Sequence, residues 1–193
     1  MKKIVALIVV IYVFLSIPNL TFGLSFMIDP ERSAMSFTGH SPLGSFQGKT
    51  NKINGEVLVK DDKNLNDVVA SVGFDVASLK TGNGLMDEHM YNRYLESSIY
   101  PRIFFSPSSL KLIDQNHGEV SGNLTIHGVT LHVNVPITAL ISADSSLVVT
   151  NGNFPVSLSD FKIKKPRFLL ISVDDRMHIE FSLTWVRKEN RGE

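Results

Sequence analysis

From residue 53 towards the C-terminus the chain alternates apolar and polar side chains in run after run, and this period of two limits its fold more than any other feature. Successive side chains of a strand point to opposite faces, so such alternation marks strands with one face buried. In the stretch 67–79, Val68, Ala70, Val72, Phe74 and Val76 alternate with Asp67, Ser71, Gly73 and Asp75. Ile53, Gly55, Val57 and Val59 alternate with Asn54, Glu56 and Leu58. Ile103 and Phe105 come after Pro101 and lead into Leu110-Lys111-Leu112-Ile113. Val120, Gly122, Leu124 and Ile126 alternate with Ser121, Asn123 and Thr125; past Gly128, Leu131, Val133, Val135 and Ile137 resume on the opposite parity. Met177, Ile179, Phe181, Leu183 and Trp185 alternate with His178, Glu180, Ser182 and Thr184.

Polar turn clusters separate these runs: Asp61-Asp62-Lys63-Asn64, Asp114-Gln115-Asn116-His117-Gly118, Ala143-Asp144-Ser145-Ser146 and Val173-Asp174-Asp175. One stretch has helical spacing instead. Over 85–96, Met86, Met90 and Tyr94 recur every four residues beside Leu85 and Leu95, after an Asn83-Gly84 start. Pro101 bars any helix from continuing through Tyr100, because the residue before a proline avoids helical dihedrals. Seven or eight short strands with one helix predict an antiparallel sandwich or a closed barrel. Closure removes exposed edges, and eight strands enclose room for either packed side chains or one ligand. Periodicity therefore leaves a hollow and a filled interior equally open.

The N-terminus has the three-part layout of a secretory signal peptide over 1–23. Lys2 and Lys3 precede an uncharged apolar run from Ile4 to Ile17, Pro18 and Asn19 break it, and Thr21-Phe22-Gly23 offers small residues for cleavage. The run is too short to span a bilayer comfortably. The expected domains are thus the signal peptide, one barrel or sandwich domain over 24–188, and a polar tail over 189–193. Nineteen basic and nineteen acidic residues balance, and losing Lys2 and Lys3 leaves the remainder slightly acidic. That balance excludes the concentrated basic face nucleic acid requires. With no cysteine there is no disulfide, thiol chemistry or cysteine-held metal.

Few motifs carry chemistry. Gly39-His40-Ser41-Pro42-Leu43-Gly44 has the look of a nucleophile elbow, but Leu43 stands where glycine is required and no helical pattern comes after it. No HExxH, P-loop or GxGxxG occurs. Among the six histidines, His132 and His178 fall on the polar parity of their strands and His117 and His127 at turns, so no convergent metal set is expected. Lys162, Lys164, Lys165 and Arg167 cluster around Pro166, either as a solvated loop or as a mouth that meets an anionic head group or membrane surface. Met86, Met90, Tyr91 and Tyr94 suit a helix that either packs on the sheet or lids an apolar cavity, with tyrosine hydroxyls at its wet rim.

Several segments resemble the YceI-like family. Leu79-Lys80-Thr81-Gly82-Asn83, Met86-Asp87-Glu88-His89-Met90, Tyr94-Leu95-Glu96-Ser97 and Tyr100-Pro101-Arg102-Ile103-Phe104-Phe105 look like its central signature. The run Val120 to Thr130 resembles its second, and Phe26-Met27-Ile28-Asp29-Pro30, Ser33 to Phe37 and Gly55 its opening. The resemblance implies an all-β, eight-stranded antiparallel, lipocalin-like barrel with one short helix, exported to the periplasm. It further implies an elongated cavity holding a polyisoprenoid, an isoprenoid quinone or a similar amphiphile. Two arginines common in the family are absent: Met86 and Leu158 stand in their places, and Lys162 replaces a glycine. Arginine is the natural bidentate partner of phosphate, so a quinone or fatty-acid-like ligand is expected over a polyprenyl pyrophosphate.

The expected function is an exported carrier or sequestering protein for a long-chain lipid, with no catalytic residue, no metal and no cofactor beyond a quinone bound as ligand. Strand parity and the helix place Phe37, Val57, Val72, Phe74, Val76, Met86, Met90, Ile103, Phe105, Leu124, Ile126, Ile179 and Phe181 on the cavity. Asp87, His89, Tyr94 and Asp160 are expected near the head group. The partner is a lipid and not nucleic acid; transient contact with a membrane surface and a dimer both fit this reading. A hydrolase or isomerase using Asp87 and His89 is the alternative, although their i, i+2 spacing puts them on different helix faces. A filled barrel serving as a non-binding interaction module is the third.

Overall fold

The computed structural model describes residues 24–59, 68–168 and 171–188. The proposed signal peptide over 1–23, the polar tail over 189–193 and the turn at Asp61 to Asn64 lie outside the described residues. The strands are β1 (Leu24–Ile28), β2 (Ala34–Ser41), β3 (Gly44–Thr50), β4 (Asn54–Val59), β5 (Val68–Asp75), β6 (Arg102–Leu112), β7 (His117–Ile126), β8 (Val129–Ile141), β9 (Leu147–Ser157), β10 (Arg167–Phe168), β11 (Ile171–Ser172) and β12 (Arg176–Arg187). From β4 to β9 each strand pairs antiparallel with its sequence neighbour, and β12 lies beside β9. The other edge of β12 pairs with β1 near Trp185 and with β2 near Phe181, which closes the wall.

Registers show that β1–β2 and β3–β4 are the two limbs of one long hairpin. Met35 pairs with Thr50 and Met27 with Glu56, so pairing resumes beyond an interruption that holds two more residues in the first limb than in the second. The first limb breaks at Pro30–Arg32, a 3-10 turn whose cap Asp29 accepts from Glu31 N at 3.0 Å and from Arg32 Nε at 2.6 Å. Counted this way, the wall is an eight-stranded up-and-down barrel, the closed antiparallel fold expected from the resemblance.

Parity explains the wall. Odd residues of β12 and even residues of β7 and β9 turn inward, and their polar neighbours turn outward. A barrel in a membrane has the reverse polarity on its outer face. One parity change was not legible: a bulge between Pro107 and Ser109 lets Leu110 and Leu112 join Ile103 and Phe105 on the inner side.

In an up-and-down barrel the connections alternate between the two ends. One end collects the β2–β3 turn, the segment 76–101, the β7–β8 turn and the loop 158–175. There Asn83 caps α1 (Gly84–His89) by accepting from Met86 N at 3.1 Å, and a π-helical turn, Met90–Tyr94, continues it. The helical segment is thus 84–94, against the expected 85–96, and Leu95 N bonding to Met90 O at 2.9 Å ends it. Strand β5 stops at Asp75, earlier than the alternation suggested. Val76 begins a 3-10 turn, its N–H bonded to Pro101 O at 2.8 Å.

The β7–β8 turn is the two-residue pair His127-Gly128, with φ values of 50° and 72°. Positive φ at both positions suits the twist of a tight hairpin. His127 Nε2 meets Glu96 Oε2 at 2.6 Å, its Nδ1 lies 3.3 Å from Phe161 O, and the Tyr100 ring packs edge-on at 4.5 Å between centroids. This cluster joins the connection between the helical segment and β6 to the β7–β8 turn and the loop after β9.

Candidate functional site

The wall encloses a lumen of about 1160 Å³. That is at the upper end of small-molecule sites. Inward-facing glycines help to keep it open. The Phe37 ring lies over Gly48, its cross-strand partner on β3, and the Phe181 ring lies over Gly152, its partner on β9. A Cβ at Gly152 would sit 2.5 Å from Phe181 Cζ, and one at Gly48 would also meet its ring. Each ring therefore lies flat against the wall.

Most of the residues that parity selects do reach the lumen. Phe37, Val57, Val72 and Phe74 line it from β2, β4 and β5. Ile103 and Phe105 line it from β6, Leu124 and Ile126 from β7, and Ile179 and Phe181 from β12. Met86 and Met90 line it from the helical segment, Met86 at the rim and Met90 buried. Val76 does not. It has left the in-and-out alternation of β5 and lies 1% exposed at the base of the wall.

Of the proposed head-group residues, His89 and Tyr94 line the lumen, and Asp87 and Asp160 do not. Asp87 faces the turn before α1, where it accepts from Thr81 N at 2.7 Å and Thr81 Oγ1 at 2.6 Å, with Lys80 Nζ at 4.0 Å. Burial pushes the Asp87 carboxyl upward, but the two Thr81 bonds and the nearby Lys80 charge outweigh it and hold the pKa below its usual value. Asp87 is thus a structural clasp. The opposite directions of Asp87 and His89 leave the two side chains unpaired as acid and base. Asp160 is exposed in the turn after β9.

Among the described residues, no Asp, Glu, Lys or Arg lines the lumen. Polar groups gather towards its two ends. Thr81, Asn83 and His89 stand at the α1 end, and Gln115, Asn116 and His117 at the other. A buried ion without a partner is strongly disfavoured, so this lining favours apolar groups over ions.

Many lining residues lie outside the set expected from the sequence, and two of them show what that set missed. Trp185 is one, although parity alone would have found it, since it continues Ile179 and Phe181 on β12. It lines the lumen at 8% exposure and donates from Nε1 to Thr150 Oγ1 at 2.9 Å. Phe46 is the other. Its β3 run is masked by Gly44 and Gly48, and its ring lies over Gly39 on β2.

The crystal structure of Burkholderia cenocepacia BcnA resembles this fold with a TM-score of 0.72 and 23% identity, covering 81% of this chain and 98% of that one. A Saccharophagus degradans domain, described as a polyisoprenoid binding domain implicated in plant cell wall breakdown, matches with a TM-score of 0.68 and 12% identity over 86% and 99%. The Campylobacter jejuni YCEI protein matches with a TM-score of 0.60 and 20% identity over 74% and 85%. Among curated relatives, UPF0312 proteins of Vibrio campbellii and Pseudomonas savastanoi are 28% identical over 99 residues and 29% identical over 103. The match spans about half of each: 50% of this chain against 51% and 53% of theirs. The profile of the YceI-like domain matches residues 26–185, nearly the whole described barrel, and the chain belongs to that family.

Proposed function

We propose that this protein is an exported carrier or sequestering protein for a neutral long-chain lipid of isoprenoid type, with an isoprenoid quinone as the best-fitting class. The observation that carries this reading is the lumen of about 1160 Å³ with no Asp, Glu, Lys or Arg among the described residues of its lining. Burying apolar chain releases about 0.8 kcal/mol per CH₂, so a tail of about twenty carbons supplies roughly 16 kcal/mol before ordering costs of about 4–15 kcal/mol. The head group must be polar but uncharged. Among the described residues, a phosphate or carboxylate inside would meet no Lys or Arg on the lining, and Met86 and Leu158 stand where family members often carry arginine. A quinone carbonyl can accept a hydrogen bond from the Asn83 side-chain amide or from His89 at the α1 end. Met90 supplies an adaptable apolar surface beside it. The Saccharophagus degradans domain of like fold, described as polyisoprenoid binding, supports the ligand class. Export rests on the layout of the first 23 residues.

Trp185 provides the test. It is the only tryptophan of the chain and lines the lumen. Titrating purified, delipidated protein with a long-tailed isoprenoid quinone is expected to quench its fluorescence saturably at one equivalent. A prenyl pyrophosphate of equal tail length is expected to compete at least tenfold more weakly. Quenching that rises linearly with quinone, without saturation, contradicts lumen binding.

A further inference from the structure

The loop after β9 presents its lysines by burying what lies between them. Phe161 and Ile163 are 2% and 6% exposed, so Lys162 and Lys164 project to solvent, as does Lys165. The turn is closed by Lys162 N to Ser159 O at 3.0 Å and Ile163 N to Leu158 O at 2.9 Å. Ser159 is itself held by Asp175, at 3.1 Å through its N–H and 2.5 Å through its hydroxyl. Three cations within four residues thus sit on an anchored loop.

That loop borders an opening of the lumen. Lys165 precedes Pro166, which lines the lumen with Val173, and Asp174 N donates to His40 O at 2.8 Å, tying the loop to the β2–β3 turn. Around the same opening the lumen-lining residues Leu43, Leu85 and Met86 are 72%, 64% and 40% exposed. Among the described residues, Asp75, Glu88, Asp160 and Asp174 are exposed acids of this end; Asp75 faces Arg102 at 3.5 Å, Asp174 stands beside Asp175, and Arg93 adds a cation. The opposite end also exposes apolar side chains, among them Ile113 and Leu140, but its turns carry Asp114 and Asp144. Among the described residues, the α1 end sets three cations within four residues beside its apolar rim, whereas the opposite end sets the pair Arg187 and Lys188 beside turn aspartates.

We propose that this end docks on an anionic bilayer surface, with Lys162, Lys164 and Lys165 against lipid phosphates and Leu43, Leu85 and Met86 at the edge of the acyl region. The proposal rests on the carrier reading and names where cargo enters and leaves. Basic side chains near an anionic leaflet add attraction that falls within a Debye length, and exposed apolar side chains partition into the interface beneath them.

The experiment is co-sedimentation of the purified protein with vesicles of phosphatidylglycerol and phosphatidylcholine in equal parts, and with phosphatidylcholine alone. Binding is expected to be at least tenfold tighter to the anionic vesicles and to weaken with added salt. Replacing the lysines (K162E, K164E and K165E together) is expected to weaken it about tenfold or more, and L43S with L85S about fivefold. I113S with L140S, at the far end, is expected to change nothing. All these positions are exposed, and circular dichroism checks that each variant is folded. Equal binding to both vesicle types, retention by the lysine variant, or loss only in the far-end variant would overturn the proposal. Retention by L43S with L85S would reduce the loop to a polyanion site and overturn it too. Quinone titration of Trp185 in detergent separates the two readings. A protein that takes up quinone without selecting anionic vesicles refutes docking alone, and one that docks without taking up quinone refutes the carrier alone.

Discussion

A protein carrying Gly48→Leu and Gly152→Leu together is expected to close as a barrel yet bind a long-tailed isoprenoid about a hundredfold more weakly. Both glycines face the lumen, and each lies under a phenylalanine of the neighbouring strand: Phe37 over Gly48 and Phe181 over Gly152. At Gly152 even a methyl group would stand 2.5 Å from the ring and 2.9 Å from Pro136 O, so β8 must give slightly and Phe181 must leave the wall, and the free volume beside it is the lumen. Two displaced rings and two added leucines exclude the space of several methylenes. At about 0.8 kcal/mol for each CH₂ left in water, a loss of three or four gives about 3 kcal/mol, or about a hundredfold. Asn153→Leu, one residue on and outward, is the control and should bind as the parent does. Ligand recovered per chain after equilibration and gel filtration measures this. Unchanged uptake by the double variant would mean that the cargo does not occupy this part of the lumen.

The second large effect concerns stability. Gly128→Ala is expected to destabilise the protein by about 3 kcal/mol, lowering Tm by about 10 °C for a chain of this size. The φ of 72° alone penalises a Cβ by about 1–2 kcal/mol. The Cβ would also meet Tyr100 Cε1 at 2.5 Å, and Tyr100 is held against His127, which is paired with Glu96. Gly82→Ala separates the two effects. Its φ is 83° but nothing lies within 4 Å of a Cβ there, so it should lose only about 1 kcal/mol. Urea denaturation of both variants checks this. Equal midpoints would show that the Tyr100 contact yields freely and that the cluster does not hold the α1 end in place.

Much of the wall was legible because a half-buried strand imprints its period directly on the side chains. The runs on β7, β8 and β12 gave inward faces that the lumen uses, and Asn83-Gly84 marked the helix start. What escaped has physical causes. Strand β9 was not among the alternating runs, because Gly152, the seat of a ring that comes from β12, and Pro155 interrupt its pattern. The bulge at Pro107 and Ser109 reverses parity within β6 without a change in composition. Val76 looked like a fifth inward residue because alternation continues past the point where β5 ends. Helical spacing showed that Asp87 and His89 diverge, but which one enters the lumen depends on the turn at Thr81, whose two donors claim Asp87. His127 read only as a turn residue, since its partners lie at Glu96 and Phe161, far away in sequence. The hollow itself was not readable, because parity orients side chains without saying how well they fill the space between them.

The most direct test is mass spectrometry of organic extracts from the purified protein, paired with uptake of isoprenoid quinones and prenyl alcohols by the delipidated chain. The expected result is a neutral long-chain isoprenoid at close to one equivalent per chain, and uptake of the same class when it is offered. A clean extract together with no uptake would contradict the carrier and leave a barrel whose lumen has no lipid to hold.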